Sequence, residues 1–506
     1  MMTDDNTPVI IGAGQITEKP VALEMARSPL TLMTDAVLAA AVDAGLGKPD
    51  LQTADRLMVT TLFNDDGLAN PPGCLADRLG LEAAEGVVSG FGGTSPQAML
   101  HDAMERIAAG RAGMVILAGA EAQQTRQAAS KAGLSLKWSV DTSRPQPVSF
   151  AELGAMDGAT ETEHIHSLSV PAVSYPLFEN ALRGHYRRSL ADHQQRIGEL
   201  MSRLTRVAAA NPLAWFPEER SPEEIITPGP ANRRTAFPYT KRMNAMLLVN
   251  QSAALIVTSR QRARQLGVPS SRWVYCQGQA QARDHWYLLN RENYFTSPAI
   301  RTIGQKALAA AGTGLGEIDF FDLYSCFPSS IQITRDMLGI SVDDNRDLTV
   351  TGGLPYFGGP GNNYVMHSLA RMCDLLREKP GTRGLVTGNS FYMSKHAVGI
   401  YGTEPGPSAN WTNVDAACQR EVDAGPSPSV DPEPSGPARV ETWTVVFDRE
   451  DQPERGVVIG RTESGRRFAA YTPPDRELLA AMTREDFLGA AGTVTANDKL
   501  HIFTPE

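Results

Sequence analysis

The chain has 506 residues, too many for one hydrophobic core, so two or three domains are expected. Hydrophobic residues make up 42% and the mean hydropathy is -0.24, values ordinary for a globular protein. No run of about eighteen apolar residues occurs, which excludes a helical membrane span, and a net charge of -10 disfavours general nucleic-acid binding.

Residues 1–8 are acidic and polar, without the basic-then-apolar order of a signal peptide, and point to the cytoplasm. Five scattered cysteines (Cys74, Cys276, Cys326, Cys373 and Cys418) form no C-x-x-C pair, so reduced thiols are expected, with neither a disulfide framework nor a structural zinc site.

In chain order, Val9–Gly12 reads as a short strand. Ser28 to Gly45 reads as a helix with Ser28 as N-cap, Pro29 in the first turn and Gly45 as the stop. Arg56–Thr61 and Gly86–Ser89 read as buried strands, Ser95–Gly110 as a helix and Met114–Leu117 as a further strand. Alternating strands and helices imply a mainly parallel sheet covered on both faces, an α/β fold.

Residues 121–242 break this order and read as an inserted loop domain, with Pro-rich stretches and a basic helical portion. Residues 181–245 carry eleven Lys/Arg against six Asp/Glu, an island suited to a phosphorylated small molecule or to an ordinary solvated helix face. His164-Ile-His166, if a strand, would put two imidazoles on one face, but no third metal ligand is identifiable, so no metal is assigned.

The order of elements then repeats. Ser28-Pro29 precedes Gly45-Leu-Gly47 by the distance that separates Ser297-Pro298 from Gly314-Leu-Gly316. Phe91-Gly92-Gly93 precedes His101 as Phe357-Gly358-Gly359 precedes His367, which suggests packing near a pseudo-twofold axis for both histidines. Gly113 to Gly119 is echoed by Gly384 to Gly388. Three matches in one order indicate internal duplication. The expected units are 1–120, the insertion 121–242, a second half 243–402, a Pro/Gly/Ser-rich linker 403–437 and a small OB-like β-barrel at 438–506. The Asn410-Trp-Thr412 sequon carries little meaning without secretion.

The duplicated unit, the insertion and the glycine-rich loops at helix N-termini resemble the thiolase superfamily over residues 8–402. The closest stretches are Arg242–Val257, Asp319–Phe327 (which is similar to the segment carrying the H-D-C-F motif of sterol-carrier-type thiolases) and Thr351–Pro360. With the appended barrel the chain looks like thiolase-like proteins of type 1. The resemblance implies a duplicated five-layered αβαβα fold, a CoA or acyl-CoA thioester as ligand with no other cofactor, and acetyl-CoA acetyltransferase relatives in lipid metabolism. Thiolases usually pair through the sheet edge of the first half; here a homodimer or a monomer is expected.

The family's catalytic set is absent. Alignment puts Gly92 at the nucleophilic cysteine, Gly359 at the G-H-P histidine, Asn389 at the second cysteine and Tyr324 at the H-D-C-F histidine. Glycine cannot carry an acyl group, so classical thiolysis through residue 92 is excluded. The residues left for chemistry are Tyr324 as an acid, Cys326 as a substitute nucleophile or simple apolar filler, and His396 as a base. Gly92, Gly93, Ser325, Gly358, Gly359, Asn362, Asn363 and Asn389 would contact the thioester, the glycines through backbone N–H groups that polarise its carbonyl. Arg183, Arg187, Arg188 and Arg233 would hold CoA phosphates. Three readings follow: a CoA-thioester binder, an acid/base carbon–carbon lyase or non-covalent acyltransferase, and a scaffold that recruits a partner through the barrel.

Overall fold

A computed structural model describes residues 4–64, 67–150, 158–406 and 414–506. The sequon and part of the expected linker lie outside them. Among the described residues no helix is long and apolar enough to cross a membrane.

The first sheet contains β1 (Pro8–Thr17), β2 (Arg56–Val59), β3 (Glu85–Val88), β4 (Met114–Ala122), β5 (Val148–Ser149) and β8 (Asn250–Ser259), in the order β1-β8-β4-β2-β3-β5. The second contains β9 (Tyr275–Arg283), β10 (Phe320–Asp322), β11 (Arg383–Ser390) and β12 (Lys395–Gly402), in the order β10-β11-β12-β9. Read from the other edge, the second sheet repeats β1-β8-β4-β2 strand for strand: two antiparallel pairings, then a parallel one. The match descends to single residues. β1 bulges between Ile10 and Gly12 and β9 between Cys276 and Gly278, and in each the glycine after the bulge meets a helix backbone. A Cβ on Gly12 would collide with Ala40 O, and one on Gly278 with Ala307 O. These collisions explain the alanine-rich faces of α1 (Pro29–Ala44) and α6 (Pro298–Ala311), which pack on the two strands.

With α2 (Pro71–Leu79) beside α1, the layers run α1/α2, first sheet, α3 (Ser95–Ala108) with α8 (Tyr364–Glu378), second sheet, and α6 with α7 (Pro328–Leu338). Both central helices are buried along most of their length, as a layer between two sheets requires.

Three expectations are corrected. Residues 250–259, expected in the second half, form the strand between β1 and β4 and complete the first sheet. The matched glycines of the helix stops are not equivalent: Gly45 caps α1, but α6 is two residues shorter and ends at Gly312. Gly314 instead corresponds to Gly47, each backbone N–H bonded to a carboxylate three residues on, Glu317 and Asp50. The segment read as linker contains α9 (Asp415–Asp423), which buries Cys418 and Val422. Asp415 and Gln419 accept from Gln281 N and Arg283 N at 2.9 Å, sealing the open edge of β9.

The insertion folds around α4 (Pro171–His185), α5 (Leu190–Ala209) and the hairpin β6 (Arg234–Ala236) and β7 (Tyr239–Thr240). The His164–His166 stretch is helical and not a strand: His164 is exposed, while His166 is buried against His501 with centroids 4.7 Å apart. Among the described residues no metal-binding group of three His, Cys, Asp or Glu assembles.

β13 (Gly436–Phe447), β14 (Pro453–Thr462), β15 (Arg467–Tyr471), β16 (Ala491–Asn497) and β17 (Leu500–Pro505) close a five-stranded barrel in the order β13-β14-β15-β17-β16-β13, with α10 (Arg476–Ala481) between β15 and β16. Trp443, Phe468 and Phe503 fill its core. The barrel is anchored: β13 pairs with β6, and the fully buried Arg467 binds Glu441 and donates to the carbonyls of Leu289, Arg291 and Glu292.

Candidate functional site

The two central helices bring their N-termini to the seam between the halves. Three residues before each helix start stands a left-handed glycine, Gly92 (φ 145°) before α3 and Gly361 (φ 54°) before α8. Each faces a side chain from the opposite half, at the equivalent place two residues past a glycine in the central strand: Ser390 after Gly388, and Glu121 after Gly119. A Cβ on Gly92 would strike Ser390 Oγ and lie 2.8 Å from Ser390 Cβ; one on Gly361 would lie 3.0 Å from Glu121 Cδ. The structural counterpart of Gly92 is therefore Gly361, not Gly358, and His101 and His367 stand on equivalent helices about a turn apart.

Ser390 Oγ accepts from Thr94 N at 2.9 Å and shares a 2.7 Å hydrogen bond with Thr94 Oγ1, so it caps α3 from across the seam. A Cβ on Gly93 would run into the Tyr324 hydroxyl and lie 2.6 Å from Asn389 O. The volume above the helix tip is thus filled by Ser390 and Tyr324.

Around this tip stands a polar cluster. Asn389 Nδ2 lies 3.0 Å from Tyr175 Oη, 3.2 Å from Ser330 Oγ and 3.9 Å from Cys326 Sγ, while Asn389 Oδ1 is buried without a partner. The turn joining β11 and β12 holds Phe391 and Met393 at positive φ, a costly state for such side chains. It is fixed by Tyr175, which donates to Phe391 O, and by Arg291, which donates to Met393 O at 2.6 Å. Burial pushes the Cys326 thiol up to about 11, which favours its protonated form at neutral pH. Burial also holds the Tyr324 phenol well above its usual range, which keeps it a hydrogen-bond donor.

The other expected residues are placed as follows. His396 lies within β12, opposite Asn389, its Nε2 3.2 Å from Asp284 and 2.9 Å from Met393 O. Burial opposes the charge on Asp284, but its bonds to His396 and Ser297 and the nearby Arg291 hold the carboxyl below its usual range. Gly92 N–H donates to Asn362 Oδ1 at 2.9 Å and Gly359 N–H to Met246 O at 2.8 Å, so two of the backbone donors expected for a carbonyl are already engaged. Asn362 also donates to Thr61 O, Asn363 to Gly119 O, and Ser325 Oγ accepts from Leu354 N, so these three tie loops together. Gly358 packs on the Gln251 amide.

Of the four arginines, Arg183 is buried, bound to Asp486 and Arg188 O. Arg233 donates to Arg234 O and Asp448 O. Arg187 and Arg188 border an open groove. Sequence reasoning missed Ser390, Tyr175 and Lys395, whose Nζ would lie 3.5 Å from a Cβ on Gly92. Ser390 was legible as the neighbour of Asn389; Tyr175, from the insertion, had no signal.

Comparison with known proteins now bears on this geometry. Residues 417–499 match the family described as the thiolase-like protein type 1 additional C-terminal domain. The crystal structure of a monomeric SCP2-thiolase like protein type 1 from Mycobacterium smegmatis is 35% identical, covers 100% of both chains and has a TM-score of 0.86. The chain belongs to the thiolase-like protein type 1 family. More distant likenesses show the fold of its thiolase part. The Ltp2-ChsH2(DUF35) aldolase is 20% identical over 79% of this chain and 98% of its own, with a TM-score of 0.59. The acetyl-CoA acetyltransferase from Syntrophomonas wolfei is 14% identical over 78% and 99%, with a TM-score of 0.56. No curated protein matches.

Proposed function

We propose that this type 1 thiolase-like protein binds CoA or an acyl-CoA thioester and does not form an acyl-enzyme. The observation that carries the reading is the helix tip at Gly92–Gly93: it has no side chain to acylate, and the neighbouring volume is taken by Ser390 and Tyr324. The Tyr324 hydroxyl is the group suited to hydrogen-bond a thioester carbonyl, because its raised pKa keeps the proton in place. Arg187 and Arg188 are the two basic-island residues suited to the CoA phosphates, because Arg183 and Arg233 are already engaged.

Calorimetric titration with CoA and short and long acyl-CoAs should give micromolar dissociation constants; silence with every ligand overturns the reading. Intact-mass measurement after incubation with an acyl-CoA should show no added acyl group. An adduct on Ser390 or Cys326 would restore covalent catalysis.

A second reading, acid/base carbon–carbon cleavage, is favoured by the Asp284–His396 pair beside Asn389 and by the likeness to the aldolase fold. His396 would take the proton of a β-hydroxyl group, the Cα–Cβ bond would break to give a carbonyl and a thioester enolate, and Tyr324 would protonate the enolate. Turnover of β-hydroxyacyl-CoA that falls at least tenfold in both Tyr324→Phe and His396→Gln would support it; wild-type inactivity would dismiss it.

A monomer fits best. β5 pairs with β3 at the outer edge of the first sheet, Phe150 N donates to Val88 O, and the edge through which thiolases pair is covered by the chain itself. The M. smegmatis relative is monomeric. Light scattering that gave the dimer mass would refute this.

A further inference from the structure

The tip of α3 gathers positive charge and hydrogen-bond donors. In the second sheet Ser390, Lys395 and Arg283 are direct partners across β11, β12 and β9, so their side chains share the face that Ser390 turns towards α3. Lys395 is only 6% exposed, and its Nζ would lie 3.5 Å from a Cβ on Gly92. An ammonium thus reaches, from another strand, the position that alignment gives to the family's nucleophilic cysteine. A lysine at that depth calls for an anion.

Other donors converge one residue on. A Cβ on Gly93 would meet the Tyr324 hydroxyl. Tyr324 is 7% exposed, and among the described residues its hydroxyl has no hydrogen-bond partner. Unlike Asn389 Oδ1, which is sealed and unpaired, that hydroxyl keeps contact with solvent. Gly93 N–H likewise makes no hydrogen bond among the described residues, whereas Gly92 N and Thr94 N on either side are engaged. The 14 residues of α3 add the positive end of their dipole. Two carboxylates of the seam are committed elsewhere: Glu121 accepts from Phe63 N and Gln123, and Asp284 from Ser297 and Ala299 N. The tip opens to solvent along Phe91, the chain neighbour of Gly92, which is 52% exposed between Phe63 and Phe391.

We infer that this tip recognises a carboxylate carried by the acyl group of the thioester. The inference rests on the thioester reading above and narrows its substrate to short dicarboxylic acyl groups, of the malonyl or succinyl kind. The Tyr324 hydroxyl holds the thioester carbonyl, and Lys395 with Gly93 N–H holds the carboxylate. A neutral carbonyl oxygen accepts two hydrogen bonds and leaves the ammonium unneutralised; a carboxylate accepts up to four and neutralises it. An ammonium has three N–H donors, so Lys395 can serve a ligand while it keeps a partner of its own. The two stations belong to consecutive residues, whose Cα atoms stand about 3.8 Å apart, a spacing that suits one or two carbons between the carbonyl groups.

Calorimetry on the full chain compares thioesters of matched length, so that the contribution of CoA cancels: malonyl-CoA against propionyl-CoA, and succinyl-CoA against butyryl-CoA. In at least one pair the dicarboxylic member should bind about tenfold tighter or more, a difference of about 1.4 kcal/mol. That ratio should fall to near one in Lys395→Met. Arg187→Ala, at the exposed groove, should weaken both members alike and keep the ratio; a ratio lost there and kept in Lys395→Met would give the carboxylate to the groove and overturn the inference. Nitrogen-15 spectra of the wild type supply a reading that needs no variant: the preferred dicarboxylic thioester should move the Lys395 Nζ resonance further than its neutral partner does. Equal affinities within both pairs, or an Nζ signal that moves equally with both members, would overturn the inference and leave the thioester reading standing. Silence with all four ligands would overturn both.

Discussion

The two helix tips at the seam share one backbone plan and differ in what the opposite half sends against them. Gly92 meets Ser390, a neutral hydroxyl that caps α3 and stands in a cluster with Tyr324, Asn389 and Cys326. Gly361 meets Glu121, whose carboxyl is pushed up to about 7 by burial, although Phe63 N and Gln123 donate to it. The duplication thus preserved a contact and changed its chemistry. The Gly92 end collects a cluster of polar side chains, whereas at the Gly361 end Asn362 and Asn363 tie loops together through Thr61 O and Gly119 O.

The sharpest way to break the comparison is to add one methyl group at each tip. At Gly92 a side chain must adopt φ 145° and collide with Ser390 Cβ, which is close to backbone and cannot swing aside. Gly92→Ala should cost about 2–4 kcal/mol in urea unfolding. At Gly361, φ 54° is a permitted left-handed state and the obstacle is the Glu121 side chain from Cγ outward, with no Cβ in the way, so Gly361→Ala should cost about 1–2 kcal/mol. Equal losses would show that the two tips are not differently packed.

The next effect in size belongs to Glu121. Its folded pKa of about 7 lies above the ordinary 4.5. A raised carboxyl pKa means that the folded state holds a proton that the unfolded chain gives up. Its stabilising contribution is therefore complete below pH 4.5 and is lost as pH rises through 7. Glu121→Gln should gain on the order of 2 kcal/mol at pH 8 and nothing near pH 4. A gain independent of pH would show that the carboxyl titrates normally.

How much of this was legible in the sequence depends on whether the signal was local. Caps such as Ser28 and Gly45, the strand–helix alternation and the duplicated glycines are read within a few residues, and the fold follows from them. The exact correspondence of the halves was not legible. Among the described residues no strand in the second sheet corresponds to β3: at that edge Leu323 N donates to Leu348 O, and Asp322 accepts from Val350 N, Thr349 and Ser368, on the segment that leads to the loop before α8. The repeated Phe-Gly-Gly therefore matched in letters three residues out of structural register. Strand β8 was assigned to the wrong half because an insertion hides which sheet a distant strand joins. At the candidate site, Asn389 and Tyr324 stand at motif positions, but Tyr175 reaches its place through tertiary packing alone.

The smallest test concerns the two buried histidines, which the repeat pairs in sequence and the structure sets a turn apart. His101 Nε2 lies 2.9 Å from the Gln97 amide nitrogen, and His367 Nδ1 lies 2.9 Å from Gln15 Oε1, with its Nε2 unpaired. Neither has a carboxylate to support a charge, and burial lowers both to about 3. Between pH 6.5 and 3 the unfolded chain binds protons that the folded state refuses, so stability falls as pH drops below 6.5. At pH 5 each histidine should cost about 2 kcal/mol relative to pH 7.5. His101→Gln and His367→Gln will each lose some packing, but that loss is the same at both pH values. The quantity to read is the drop in unfolding free energy from pH 7.5 to 5, which should shrink by about 2 kcal/mol in each variant and by about twice that in the double variant if the sites act independently. An unchanged drop in one variant would mean that its imidazole is protonated in place, with a counter-charge moving in to meet it.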